Sequence, residues 1–484
     1  MSLGGVIHNI FTRGPVSTFR SWKEKQAREA SDRQAKEAWE KELQEMLAEY
    51  RTAYLERPFL TMETEARRAY FKNLAELEKT LKQGAPDRLR ECRRELKALY
   101  VKERIPEAYT QGCAAALERK VIFLEENIAP SQSSRYLANR MKRDGDYAVH
   151  MASLHKQSVS GVEFYENALA FARDFATAKA VFISTGTDVL SYLTLRPESK
   201  VIQLWHGVGI FKKVGFSTAD NPNFGKSAEE WEEYDGYRNC TYVTIPSPEQ
   251  AWIFEEAMHI PADSGVLAPV GVSRTDVFYD DAYRDAAFKK LYGCVPQAKN
   301  KKVILYAPTF RGRTGKGKAP KKPDYRLFAE ALKDEYVILV KQHHFVKKLP
   351  EIPEEYRDRF VFSMNHPGMP DIEQLLTVAD VLITDYSSVA FEFALMERPI
   401  LFYAYDLEKY REKRGLYQDF ETFVPGPVCR TSEEMVDYIC HLDERFDRKK
   451  VTDFKQKYVR MCDGHATERT LALLDKSNPG RLAN

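Results

Sequence analysis

The sequence predicts an α/β protein, two consecutive parallel-sheet domains behind a helical N-terminal region, and three observations carry that prediction. The chain has 484 residues, enough for two or three domains that each bury a core. From Lys120 onward, short apolar runs alternate with helix-like stretches, the signature of a parallel sheet covered by helices. Before that point no such run occurs, and apolar residues instead recur at helical spacing in a background rich in Glu, Lys, Arg and Ala.

Within that first region (residues 1–115), Trp39, Leu43, Leu47 and Tyr50 line one helical face. Residues 74–81 and 89–100 read as two further helices parted by the breaker Gly84-Ala85-Pro86, so an antiparallel helical hairpin is expected. In the first sheet domain (116–280) the apolar runs are 121–123, 180–184 and 200–204, with a helix at 164–177. The second domain (281–484) has runs at 302–307, 337–340, 360–362, 381–384 and 400–403, with helices at 325–333 and 372–379. The junction between the two domains falls around residues 271–292.

Charge and cysteine content exclude several classes. Lys plus Arg total 73 against 71 for Asp plus Glu, a net charge of +2, which argues against a dedicated nucleic-acid binder and leaves any anionic partner to a local patch. Seven scattered cysteines without a CxxC pair fit neither a disulfide framework nor a zinc ribbon and point to a reducing compartment. No run approaches the ~20 apolar residues of a membrane span, and the first residues do not read as a signal peptide, so a cytoplasmic protein is expected. Residues 1–36 interleave Arg13, Arg20, Lys23, Lys25, Arg28, Arg33 and Lys36 with Val6, Ile10, Phe11, Phe19 and Trp22. Such a stretch lies on an anionic membrane surface, meets a partner or second copy, or docks on its own protein.

The candidate chemistry sits at predicted strand ends, where open α/β sheets bind ligands. His206 follows the run 201–204 beside Gly207 and Gly209. Its ordinary pKa suits a general base near neutral pH, although a lone His-Gly pair fits a packed structural histidine as well. Tyr306-Ala307-Pro308-Thr309-Phe310-Arg311 offers a hydroxyl and a guanidinium to a phosphate. Lys341, His343 and His344 close another strand; if the chain stays extended the two imidazoles face opposite ways, so one is expected in the cleft. No acidic or thiol partner at ligand spacing supports a metal there. Thr384-Asp385-Tyr386-Ser387-Ser388 runs straight into a helix-like stretch, where a serine caps the helix or its start cradles a phosphate. The loop 311–322, with Arg311, Arg313, Lys316, Lys318, Lys321 and Lys322 and no acid, is either a solubilising loop or a cover for phosphate-rich substrates.

These segments carry a family resemblance. QLWHGVGIFKKVGF resembles the histidine-glycine motif of the CDP-glycerol glycerophosphotransferases, the teichoic-acid and capsule polymerases of bacteria. VLITDYSSVAFEFALMERPILFYAYDLEKYREKRGLYQDF resembles the same family's most recognisable block, and VGVSRTDVF, YAPTFRG and VKQHH its intervening motifs, over residues 120–437 in all. The resemblance implies a GT-B-like arrangement of two Rossmann-like domains facing a cleft. It also implies transfer of an alditol phosphate from CDP-glycerol or CDP-ribitol to a hydroxyl of a lipid-linked acceptor, at the inner face of the membrane. By the same resemblance His206 is the catalytic base, assisted by His343. The resemblance also places Arg274, Arg311, His343, Thr384, Ser387 and Ser388 on the donor side; Thr309, Lys341 and Asp385 join them from the same strand ends, and Gly207, Lys212 and Lys213, in the His206 segment, are read on the acceptor side. Since side chains supply the positive charge, neither a redox cofactor nor a catalytic Mg²⁺ is required. A nucleotide-sugar glycosyltransferase of the same architecture is the alternative. Two departures stand out: Val208-Gly209 replaces the family's usual Thr-Pro, and His344-Phe345 its usual Pro-His.

Overall fold

A computed structural model of the chain describes residues 33–478 except 128, 157, 220, 222–225 and 313–316, and the side chains from residue 37 on. The basic and apolar stretch 1–36, with its expected membrane or partner contact, thus lies outside the described side chains.

Helices α1 (Arg33–Leu55), α2 (Thr64–Gly84) and α3 (Pro86–Ala98) pack on one another, and a π turn over Leu99–Arg104 leads into α4 (Ile105–Gly112). The arrangement is a three-helix cluster rather than the expected hairpin, because Trp39, Leu43 and Tyr50 of α1 need both neighbours to be covered. The crossing is close at Gly84, where a Cβ would stand 2.8 Å from the Leu43 methyl and 3.2 Å from the Trp39 ring. The cluster does not stand apart. Tyr100 donates to the Tyr54 carbonyl at 2.8 Å and stacks on Tyr165 of the first sheet domain at 4.4 Å, within one continuous apolar core.

The first sheet contains β1 (Glu118–Glu125), β2 (Ala148–Ser153), β3 (Ala178–Ile183), β4 (Lys200–Gln203), β5 (Tyr242–Thr244) and β6 (Leu267–Ala268), all parallel in the order 2-1-3-4-5-6. Alternating side chains feed two cores: Ile122, Leu124, Val181 and Ile183 face the helical cluster, while Val121, Phe123, Ala180 and Phe182 face α5 (Gln132–Asp144). Helix α6 (Gly161–Phe175) lies on the first of these faces and carries Tyr165. The second sheet contains β7 (Lys302–Tyr306), β8 (Tyr336–Val340), β9 (Val361–Ser363), β10 (Val381–Thr384), β11 (Ile400–Tyr403) and β12 (Val428–Cys429), again all parallel, in the order 12-11-10-7-8-9. Its strand order reverses between β7 and β10, the crevice where doubly wound sheets take ligands. Around it lie α7 (Asp281–Cys294), α8 (Tyr325–Leu332), α9 (Ile372–Val378), the six-residue α10 (Val389–Ala394) and α11 (Arg448–Tyr458).

The chain then departs from the boundary read in the sequence. Beyond α12 (Ala466–Ala472), Leu473 and Leu474 enter the core of the first sheet, and the buried Lys200 ammonium donates to their carbonyls at 2.8 and 2.7 Å. The C-terminal segment therefore straps the two sheets together. Among the described residues no helix is long and apolar enough to cross a membrane.

Candidate active site

At the end of β4 the backbone N–H of Trp205 donates to Gln203 Oε1 at 2.9 Å, and Trp205 adopts a left-handed conformation, φ 58°. A buried tryptophan there costs about 1–3 kcal/mol and persists only where packing fixes it; here Phe254 and His206 flank the indole. The turn presents His206, whose Nδ1 lies 3.3 Å from the Ser184 carbonyl at the end of β3. A carbonyl only accepts, so Nδ1 carries the proton and Nε2 keeps a lone pair. Ser184 is itself held, donating its hydroxyl to Glu125 at 3.0 Å. His206 remains exposed at its edge, yet the protein packed around it displaces water and lowers its pKa, with the Arg274 and Lys212 cations adding and the Ser184 carbonyl opposing.

The residues after His206 cross into the other domain. Gly207 lies against Ser388, where a Cβ would stand 3.4 Å from Oγ, and a Cβ on Gly209 would sit 2.4 Å from the Phe391 ring. Val208 and Phe211 are buried in the second domain's core, Phe211 4.6 Å from Phe391. This accounts for one departure from the family motif: Val208 fills that core and Gly209 makes room for the ring. The backbone then pairs with residues 415–417, Lys213 N–H donating to the Gly415 carbonyl at 3.2 Å and Tyr417 N–H to the Phe211 carbonyl at 3.0 Å. Lys212, half-buried on this crossing, has no hydrogen bond or ion pair among the described residues. Burial lowers its pKa to about 8, helped by Arg414 and Arg311 and opposed by Asp385.

Several residues expected to hold the donor prove to be committed elsewhere. Arg311 grips Asp406 through Nε and Nη2 at 2.8 and 2.9 Å and Asp385 through Nη1 at 2.9 Å. Asp385 also accepts from the Thr309 N–H at 2.8 Å, so the pair holds the β7 and β10 strand ends in register. Arg274 is buried between Glu373, at 2.9 Å, and Glu392, with Nη2 3.5 Å from the His206 carbonyl. Its guanidinium thus underpins the histidine turn and is not open to a phosphate, a correction to the donor role read in the sequence. Lys341 Nζ donates to the Met364 and Pro370 carbonyls, and Thr384 Oγ1 to the Ala307 carbonyl at 2.7 Å.

What stays open is a smaller set. His343 Nδ1 accepts from the Phe345 N–H at 3.2 Å, leaving its proton on Nε2. Burial, with His344 and Lys212 nearby, pushes its pKa down to about 3, so the ring is a neutral donor. The two histidines stack at 4.2 Å instead of facing opposite ways, because the chain turns after β8. Thr309 Oγ1 is buried and finds no partner among the described residues. Ser388 leaves its helix uncapped by its side chain, and Ser387 Oγ accepts from Val389 only at 3.5 Å. Glu373, Glu392, Asp406 and Ser184 were not anticipated. Only Glu392 has a sequence signal, a lone carboxylate within the apolar run VAFEFAL. Among the described residues no group of three or more His, Cys, Asp or Glu is placed to hold a metal ion.

Comparisons with known proteins bear on the family and the fold. Residues 109–476 match the family model described as CDP-glycerol:poly(glycerophosphate) glycerophosphotransferase. A teichoic acid poly(ribitol-phosphate) polymerase of Bacillus spizizenii is 35% identical over 65% of the chain, and the chain spans about half (49%) of that relative's length. A teichoic acid glycerol-phosphate primase of Bacillus subtilis is 30% identical over 68% of the chain and 86% of its own. The solved structure of the wall teichoic acid polymerase TagF superposes with a TM-score of 0.62 at 21% identity, covering 80% of this chain and 96% of that one, and so shares the GT-B-like two-domain fold. The chain belongs to the CDP-glycerol:poly(glycerophosphate) glycerophosphotransferase family.

Proposed function

We propose that the protein transfers an alditol phosphate from CDP-glycerol or CDP-ribitol to a hydroxyl of a lipid-linked, teichoic-acid-like acceptor. The observation that carries this reading is His206, fixed by the Ser184 carbonyl with its Nε2 lone pair free, on a loop that touches Ser388 of the opposite domain. The acceptor oxygen attacks the phosphorus bearing the alditol. The new O–P bond forms as the P–O bond to CMP breaks, and the acceptor proton passes to His206 Nε2.

Charge on the phosphoryl oxygens is met by groups already in place: the His343 Nε2–H, the unpaired Lys212 ammonium, and the Thr309, Ser387 and Ser388 hydroxyls. Positioned donors of this kind contribute ~3–4 kcal/mol each to the transition state. Gly207 and Lys213 flank the acceptor side. With this set the chemistry needs no Mg²⁺, and turnover in excess EDTA is expected to match turnover without it. Residues 1–36 are expected to keep the enzyme against the anionic membrane surface that holds its acceptor.

The test is CMP release from CDP-glycerol and CDP-ribitol, with and without a lipid-linked glycerol-phosphate acceptor. Acceptor-dependent CMP from one of them is expected. Release from neither, with turnover of a UDP-sugar instead, would replace this reading by the glycosyltransferase one.

A further inference from the structure

Beyond the reacting groups, the structure carries an uncompensated basic track that starts at the site wall. Arg311 and Lys318 exchange backbone hydrogen bonds at 2.8 Å in both directions, so the part of the loop after residue 316 folds back beside the start of β7's exit. Gly317 then bridges in parallel to Val346, which closes the His343 turn through its N–H to the His343 carbonyl at 2.8 Å. The approach is backbone to backbone, since a Cβ on Gly317 would stand 2.7 Å from the Phe345 carbonyl oxygen. Further along, the Tyr405 hydroxyl accepts from the Lys321 N–H at 2.9 Å, and the Tyr306 hydroxyl donates to the Lys321 carbonyl at 3.1 Å.

Two pinned backbones thus set Lys318 and Lys347 side by side, one residue beyond the bridge, with Lys321 and Lys348 adjoining. All four side chains are exposed, and none has an ion pair or hydrogen bond among the described residues. Several acids of the surrounding segments are engaged: Asp406 and Asp385 hold Arg311, Asp324 caps α8, and Glu351 lies 3.9 Å from Arg357. Like charges held together without counter-charge repel, a cost that a bound polyanion removes while releasing its counterions.

We propose that Lys318, Lys321, Lys347 and Lys348 form a track that binds a flexible phosphate-bearing strand as it leaves the active site. The proposal rests on the reading above, in which acceptor and product are such strands, and it adds where a strand longer than one unit is held. A phosphate strand fits better than a bilayer. Membrane-lying segments pair basic residues with buried apolar ones, whereas the large apolar side chains exposed among the described residues, Leu55, Leu60, Met151, Trp252 and Tyr279, all lie elsewhere.

The test compares the full chain with a Lys318→Gln/Lys321→Gln/Lys347→Gln/Lys348→Gln variant and with the corresponding four-arginine variant. Fluorescence anisotropy reads binding of a labelled oligo(glycerol phosphate) of about ten units, and the glutamine variant is expected to bind about tenfold more weakly with a shallower salt dependence. The arginine variant should bind like wild type, and CMP release with a single-unit acceptor should be unchanged in all three. Equal strand binding by the glutamine variant overturns the track. So does a loss seen only with anionic lipid vesicles and not with the strand. Absence of CMP release from either donor would sink the transferase reading, while the anisotropy comparison would still decide the track.

Discussion

The two walls of the cleft are built in opposite ways. On the first-domain wall a neutral imidazole hangs on a left-handed turn, oriented by one backbone carbonyl, with the chain beyond it sunk into the other domain's core. The second-domain wall is dense with charge, yet most of that charge is cancelled internally: Arg311 by Asp385 and Asp406, and Arg274 by Glu373 and Glu392. The difference teaches that a cation at a strand end is not thereby a ligand for phosphate. A buried guanidinium needs its carboxylates, and the pairing here builds the walls; on the proposed reading the chemistry falls to the few groups without partners.

The sharpest way to break this contrast is to unpair a scaffold arginine. Arg274→Ala leaves Glu373 and Glu392 buried and facing each other, and about 3–5 kcal/mol of stability should be lost. Burial already raises the Glu373 pKa, against the pull of the Arg274 cation, and without Arg274 that carboxyl rises further above its unfolded value. The deficit should therefore be small at acid pH, grow as pH climbs from the ordinary carboxylate range up to the raised Glu373 pKa and level off beyond it, as denaturant titrations across pH would reveal. A deficit independent of pH would count against the buried-pair account.

Next in size is the seam between the walls. Gly209→Ala pushes a methyl into the Phe391 ring and should cost about 1–3 kcal/mol. Because the same loop carries His206, turnover should fall in that variant even where thermal melting shows the chain fully folded.

The smallest effect sharpens the comparison through pH. His206 acts as a base only when deprotonated, and its pKa is lowered from 6.5, so kcat/KM should rise along an acid limb lying below that value. Lys212 loses its charge as pH rises through about 8, which should produce a falling alkaline limb there. Lys212→Arg should move that limb upward, because arginine stays charged. An unmoved limb would assign it to another group.

Much of the fold was legible in the sequence because buried parallel strands are continuous apolar runs: β1, β3, β4 and β7 to β11 announce themselves in this way. Strand β2 did not, since it is a largely exposed edge, and β5, β6 and β12 are only two or three residues long. The return of the C-terminal segment was illegible because Leu473 and Leu474 meet the first sheet roughly 270 residues from Lys200. In the candidate site, strand-end placement singled out His206, His343, Ser387 and Ser388, which the structure leaves with free polar atoms. It could not tell that Arg274, Arg311 and Lys341 would be occupied, because Glu392, Asp406 and Met364 reach them from distant segments.

The central claim is that His206, held by a backbone carbonyl with its Nε2 lone pair free, removes the acceptor proton. Its most direct test is acceptor-dependent CMP release by wild type and His206→Ala under matched conditions, with thermal melting of both. The account predicts a loss of about 10²–10⁴-fold in kcat with the melting temperature unchanged. Undiminished CMP release by a folded His206→Ala protein would contradict it.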